Sequence, residues 1–162
     1  MTRHQLPRVS QLTQRTNQLN LTTIRRTEGE VRTFLKDGEC LTVQVTDRFG
    51  EYGLVGVVLF EEEADALVID TFLLSCRALG RGVEHQMLAR IGQLAVERGK
   101  QIVKTPYVKT AKNRPALKFL QGVASKYEQS ASNGFTYLIP SATAAQLRYN
   151  PRSKPGEPVK NR

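Results

Sequence analysis

The sequence predicts a mixed α/β fold in which helices flank a central, mostly antiparallel sheet with splayed strands. Three closely spaced strands follow an opening strand and helix, which favours an antiparallel meander joined by short turns. The strongest amphipathic helix then lies between a buried strand and another strand. Pro106 in that later strand indicates an edge or a splayed end, because proline donates no hydrogen bond to a ladder.

The first half of the chain predicts two helices and four strands. A weak apolar stripe predicts a helix near 8–18, and the β-branched run after it predicts a strand over 20–26. Thr27 and Glu30 form a capping-box pattern, which opens a helix that continues through Lys36 and ends at Asp37-Gly38. The meander strands are predicted over 40–47, 53–60 and 66–74.

The second half alternates helices and strands. Apolar residues on one face predict a helix over 82–98, which Gly99 ends. A strand over 101–108, a helix over 113–123 with Pro115 in its first turn, and a last strand over 135–139 follow. His85 is expected on the solvent side of the first of these helices. From Pro151 onward the composition predicts a disordered tail.

The 162 residues suit one domain, predicted over 20–147, after a helix and linker segment over 1–19 and before a basic tail over 148–162. The sequence has no apolar run long enough to cross a membrane, and its first residues lack the apolar core of a signal peptide. Cys40 and Cys76 show neither zinc-site spacing nor a disulfide framework. We therefore expect a soluble, cytoplasmic protein with reduced thiols and no metal site.

The net charge of +9 is unevenly distributed. Residues 1–27 carry +5 and residues 148–162 carry +4, whereas 28–75 carry −8 and 76–147 carry +8. A basic half suits an anionic partner, whether nucleotide phosphates, an acidic carrier protein or nucleic acid. The alternative for the two ends is that they only keep the protein soluble. Nucleic acid ranks last, because the basic tails lack the aromatic side chains on which bases stack.

One segment carries chemical information, and it lies between a buried strand and the strongest helix. It is Arg77-Ala-Leu-Gly80-Arg81-Gly82-Val83. Its glycines allow the backbone to approach a ligand, and the helix start adds free N–H groups, so the segment suits a pyrophosphate. It matches neither the dinucleotide fingerprint nor the Walker loop. The alternative is a glycine-rich turn that binds nothing.

This segment resembles the Gln/Arg-x-x-Gly-x-Gly/Ala motif of the Gcn5-related N-acetyltransferase (GNAT) superfamily, in which it holds the pyrophosphate of coenzyme A. Asn113-x-x-Ala116-x-x-Phe119 is similar to the next motif of that family. The resemblance covers roughly residues 20–139, and it implies an acyltransferase that uses acetyl-CoA, another acyl-CoA or another phosphopantetheine thioester. Where the family usually has a proton-donating Tyr after Phe119, this sequence has Leu120.

A narrower resemblance is to the C-terminal, acetyltransferase-like domain of FkbH-like proteins. The segments that carry it are the run 8–23, Asp47-Arg-Phe-Gly50, Gly53-Leu-Val-Gly56 and Asp70-Thr-Phe-Leu-Leu-Ser-Cys-Arg77. It implies a role in polyketide extender-unit or secondary-metabolite biosynthesis, an acyl carrier protein or small-molecule acceptor, and a haloacid-dehalogenase-like phosphatase domain or protein as a partner. The alternative function is a non-catalytic module of the same fold that docks a carrier protein or coenzyme A.

The resemblance also assigns candidate site residues. Backbone N–H groups near Leu73, Leu74 and Ser75 would bind the thioester carbonyl. The pyrophosphate would lie on Arg77, Gly80, Arg81, Gly82 and Val83. Lys112, with Lys109 and Arg114, would hold the 3′-phosphate or attract an acidic carrier protein, and Asn113 would cap the following helix with or without contacting the ligand.

Three side chains are candidates for catalysis. Asp70 is a candidate base, Tyr107 a candidate proton donor, and Cys76 a candidate nucleophile that would form an acyl-thioester. Each has a structural alternative: a carboxylate that ends a strand, an aromatic ring in the core, and a small buried thiol.

Overall fold

The computed structural model describes residues 1–151, which form one seven-stranded sheet with helices on both faces. The helices are α1 (Leu6–Arg15), α2 (Glu28–Phe34), α3 (Val83–Glu97), α4 (Arg114–Ala124) and α5 (Ser141–Ala145). The strands are β1 (Leu19–Asn20), β2 (Glu39–Asp47), β3 (Gly50–Glu62), β4 (Ala66–Leu74), β5 (Ile102–Val108), β6 (Glu128–Ala131) and β7 (Gly134–Pro140). Single turns of 3-10 helix precede α1 and follow α4.

The sheet runs in the order β2-β3-β4-β5-β7-β6, and β1 pairs with β4 outside that path. All neighbours are antiparallel except β4 and β5, which are parallel. Ala66–Val68 pairs with Ile102–Lys104, and beyond those residues the two strands no longer pair. The predicted mixed α/β fold with splayed strands is therefore confirmed, and Pro106 lies in the splayed part of β5.

Two apolar layers cover the sheet. Leu6, Val9 and Leu12 of α1, with Val31 of α2, pack on the half made by β2, β3 and β4. The larger core lies on the other face, where α3 and α4 bury residues such as Leu88 and Leu120. The predicted capping box forms at α2, because the Thr27 hydroxyl accepts from the Glu30 amide at 3.3 Å and the Glu30 carboxylate accepts from the Thr27 amide at 2.7 Å.

The predicted strand over 20–26 is wrong in extent, because only Leu19–Asn20 pairs as a strand. Thr23 has a φ of 55°, which turns the chain out of extended geometry. The Arg25 guanidinium instead donates to the main-chain oxygens of Thr13 in α1 and Thr16 just after it. The short strand β6 and helix α5 were not predicted; the polar residues of β6 show no apolar alternation. The tail predicted from Pro151 lies, apart from that residue, outside the described residues. Within residues 1–151, no helix combines the length and apolarity that a membrane span requires.

Candidate functional site: a cleft between splayed strands

Strands β4 and β5 pair only near their amino ends, and the space between their carboxyl ends, at one edge of the sheet, is here called the cleft. Residues 18–22, here called the strap, fill that cleft. Leu19 pairs with Leu74 and Asn20 with Leu73, and the Leu21 amide donates to the Phe72 carbonyl at 3.1 Å. On the other side, the Val108 amide of β5 donates to the Leu21 carbonyl at 2.9 Å. The strap thus joins the two strands at the point where their own pairing ends.

Three strap residues are fully buried, and they complete the core of the larger layer. Leu19 and Leu21 belong to the same apolar cluster as α3 and α4, and Asn20 lies between them. The side-chain amide of Asn20 donates to the Thr16 carbonyl at 3.1 Å, and the backbone amide of Ala116 in α4 donates to the Gln18 carbonyl at 3.2 Å. Because its side chains are part of the core, the strap is an integral element of the fold.

Asn113 fastens the strap to β5. Its side-chain amide donates to the carbonyls of Asn20, at 3.1 Å, and Val108, at 2.8 Å. Its side-chain oxygen accepts from the Thr110 amide and from the Tyr107 hydroxyl, both at 2.9 Å. Asn113 is fully buried, and its bonds to Asn20 and Tyr107 form away from solvent. Asn113 occupies the N-cap position of α4, as predicted, but its side chain makes no capping bond and is instead the centre of this network.

Asp70 anchors the chain that follows the strap. The Arg26 guanidinium binds both carboxylate oxygens, at 2.7 and 2.9 Å, and the Thr22 hydroxyl donates to the Asp70 carbonyl at 2.8 Å. The pair is about four-fifths buried. Both carboxylate oxygens of Asp70 are therefore bound by Arg26, which favours a structural carboxylate over the predicted catalytic base.

The predicted oxyanion donors on β4 are also occupied. The Ser75 amide donates to the Val55 carbonyl at 2.8 Å, while Leu73 and Leu74 lie between β3 on one side and β1 on the other. A pantetheine arm running along β4 would need the space that residues 19–21 fill. In this conformation the cleft does not fit a coenzyme A thioester.

The glycine loop has the backbone that its sequence predicts. Gly80 and Gly82 have φ angles of 80° and 81°, and Gly82 precedes the first turn of α3. Tyr149 covers the loop: its hydroxyl donates to the Gly80 carbonyl at 3.0 Å, and a Cβ on Gly82 would lie 2.5 Å from atoms of Tyr149. Gly82 is consequently buried, whereas Gly80 is exposed.

The first turn of α3 carries a buried acid and a half-buried histidine. Glu84 is 5% exposed, and neither its Oε2 nor the Nδ1 of His85 has a hydrogen-bond partner. The His85 ring lies between Phe119, at 5.1 Å, and Tyr149, at 5.3 Å, so the expected solvent exposure is wrong. Burial lowers the pKa of His85, and the neighbouring Glu84 opposes that shift.

Other predicted site residues have unlike surroundings: the candidate proton donor Tyr107 is buried, whereas the candidate nucleophile Cys76 is exposed. Tyr107 is buried with its hydroxyl on Asn113, and burial raises its pKa. Leu120 is fully buried in the core. Cys76 is an exposed free thiol on the loop after β4, and Val83 is half-buried.

Basic side chains surround the mouth of the cleft. Arg77 follows β4, Lys109 and Lys112 lie between β5 and α4, and Arg114 is the first residue of α4. All four are exposed, and none forms an ion pair within residues 1–151. We call these four residues the basic rim. Arg81 differs from them, because it binds the Asp47 carboxylate at 2.9 Å and the Tyr52 hydroxyl at 3.1 Å.

The strap residues and Tyr149 were missed as parts of this site. Leu19 and Leu21 alternate with polar residues, which correctly indicates extended chain but says nothing about which strands it joins. Tyr149 lies in a short irregular segment with no periodic pattern at all.

Comparison with known proteins identifies the fold. No family model and no curated protein matches the chain. Among solved structures, a GNAT-family acetyltransferase from Staphylococcus aureus Mu50 matches with a TM-score of 0.60 and 8% identity, over 87% of this chain and 96% of that one. The ribosomal-protein-S18-alanine N-acetyltransferase of Escherichia coli matches with a TM-score of 0.57 and 13% identity, over 85% and 86%.

Rv2747 from Mycobacterium tuberculosis, solved in complex with CoA and NLQ, matches with a TM-score of 0.50 and 18% identity. The match covers 62% of this chain and 58% of that one, so the chain spans less than two thirds of the length of Rv2747. The chain therefore has the fold of the GNAT acetyltransferases.

Proposed function

We propose that the chain is a non-catalytic module of the GNAT fold that docks an acidic acyl carrier protein for a partner enzyme. The observation that carries this proposal is the strap. It fills the cleft that would receive a pantetheine arm, and it is held by Asn113 and by its own buried leucines.

Opening the cleft would be costly. Burial of a leucine side chain contributes about 1.5–3 kcal/mol, so exposing Leu19 and Leu21 would cost about 3–6 kcal/mol. A ligand that requires the open state would bind about 10²- to 10⁴-fold more weakly than one that meets a ready cleft. Free coenzyme A in the cleft is therefore disfavoured.

The basic rim remains available to a partner. Arg77, Lys109, Lys112 and Arg114 lie at the carboxyl ends of β4 and β5, with no carboxylate of residues 1–151 to neutralise them. Clustered charge of one sign attracts an oppositely charged protein and orients its approach. The resemblance to FkbH-like proteins supplies the class of partner, a carrier protein in extender-unit biosynthesis. A phosphatase domain or protein of the haloacid-dehalogenase type would supply the chemistry.

One observation favours a second candidate, an acyltransferase. Gly80 and Gly82 keep the left-handed geometry of a pyrophosphate loop at the start of a 15-residue helix. The structure of Rv2747, which shares the fold, contains CoA. This function would require the strap and Tyr149 to leave, and it would need a proton donor other than Leu120.

The test is a titration of the chain with a purified holo acyl carrier protein, repeated with the apo form. Replacement of Lys112 and Arg114 by Glu is expected to weaken binding about tenfold or more at low salt, because charge pairs across an interface govern its encounter rate and affinity. Lys126→Glu is the matched control, since Lys126 is exposed and lies outside the basic rim, in the single helical turn before β6.

If the strap keeps the cleft closed, the phosphopantetheine arm has no site, and the chain should bind the holo and apo forms of the carrier protein with similar affinity. Absence of carrier binding, or equal loss in the rim variant and the control, would overturn the proposal. Saturable binding of acetyl-CoA with no carrier binding would favour the acyltransferase instead.

A further inference from the structure

Phe49 is the most exposed large apolar side chain among residues 1–151, at 77% of its full accessibility. It lies at the tip of the turn between β2 and β3, and the Arg48 guanidinium lies 4.6 Å from its ring centroid. A phenylalanine in solvent contributes nothing to the core. The ring is therefore available to a partner.

The turn that presents Phe49 is held by a network of polar contacts. The Asp47 carboxylate accepts from the Phe49 amide at 2.7 Å, from the Tyr52 hydroxyl at 3.0 Å and from Arg81 at 2.9 Å. The bond from the Phe49 amide, followed by those from Tyr52 and Arg81, lowers the pKa of Asp47. The Asp47 carboxylate thus holds the turn in one conformation, and binding of a partner would require little ordering of the turn's backbone.

The turn lies at the same edge of the sheet as the basic rim. Strands β2 and β4 are each antiparallel to β3, so β2 ends at the edge where β4 ends. Arg81 joins the turn directly to the glycine loop after β4. An exposed aromatic ring, an unpaired Arg48 beside it and the basic rim therefore lie along one edge.

We infer that Phe49 is the apolar anchor of a docking surface formed with Arg48 and the basic rim, and that its partner is an acidic protein with an apolar pocket. The inference rests on the proposed function, in which that partner is an acyl carrier protein. Binding energy at protein interfaces concentrates in aromatic and arginine side chains surrounded by polar ones, which is the arrangement at this edge. Arg48 and the four cations of the basic rim outnumber the exposed Glu51 of the same turn, and this positive edge favours an acidic partner over a second copy of the chain.

The test measures binding of the same holo acyl carrier protein to Phe49→Ala. We expect the dissociation constant to rise about 30-fold, the scale of an aromatic anchor, while the urea midpoint stays unchanged. Val96→Ala is the matched control, because Val96 is also an exposed apolar residue, at 51%, but lies near the end of α3 at the opposite edge. Phe49→Leu should keep part of the affinity.

The outcomes separate the two proposals. If the rim variant loses affinity and Phe49→Ala does not, the anchor is overturned and the proposed function stands. If wild-type chain does not bind the carrier at all, both are overturned. If a single-stranded oligonucleotide binds more tightly than the carrier at physiological ionic strength and loses affinity with Phe49→Ala, the surface is a nucleic-acid site and the carrier assignment is wrong.

Discussion

Replacement of Asn113 by Ala tests whether the strap holds the two splayed strands together. The substitution removes four side-chain hydrogen bonds at a fully buried position. The buried Asn20 carbonyl would lose the Asn113 side-chain donor, and the buried Tyr107 hydroxyl would keep only its 3.5 Å contact with the main-chain carbonyl of residue 113. A buried group left unsatisfied costs about 1–3 kcal/mol, so the expected loss in the free energy of unfolding is about 1–3 kcal/mol or more.

The assay is urea unfolding, with hydrogen exchange of the Leu21 and Val108 amides as a local readout. Both amides bond within the cleft, to Phe72 and Leu21 respectively, so their exchange should accelerate more than that of the central strands. Asn133→Ala is the matched control: Asn133 is exposed, and the variant should stay within about 0.5 kcal/mol of wild type. If Asn113→Ala loses no more stability than this control, the strap is not fastened as described.

Three further outcomes are expected. Tyr107→Phe removes one buried donor and should lower the free energy of unfolding by about 0.5–1.5 kcal/mol in urea; an unchanged value would contradict the network. Gly82→Ala should destabilise more than Gly80→Ala, because both have positive φ but only a Cβ on Gly82 would meet Tyr149. Tyr149→Ala should abolish that difference in thermal unfolding, and its persistence would exclude the contact. Because the folded protein lowers the pKa of Asp47, the Asp47 carboxylate stabilises the fold at pH values above the ordinary pKa of about 3.9. This contribution is lost as the pH falls through the lower pKa of the folded state. The stability difference between wild type and Asp47→Asn should thus shrink on acidification, and a constant difference from neutral to acid pH would refute the role of that carboxylate.

Sequence patterns correctly predicted those elements that depend only on residues close together in the chain. The apolar face of α3 and the capping box of α2 both depend on spacings of three or four residues, and the structure has both. The left-handed glycines Gly80 and Gly82 also follow from local chemistry, because other residues rarely adopt that conformation.

The strap could not be predicted in this way. Leu19 pairs with Leu74, far away in the sequence, and nothing in the local pattern chooses that neighbour over another strand edge. The same is true of Tyr149, which reaches Gly80 across 69 positions. The sequence therefore indicated the fold and the loop, whereas the residues that occupy the cleft depend on long-range packing. The link to FkbH-like proteins, to polyketide biosynthesis and to a carrier protein stays a prediction.

The most direct test of a self-occupied cleft is calorimetric titration of wild-type chain with acetyl-CoA. With Leu19, Asn20 and Leu21 between β4 and β5, we expect no saturable heat. One-to-one binding with a micromolar dissociation constant would contradict the account, because it would show that the strap yields to a thioester.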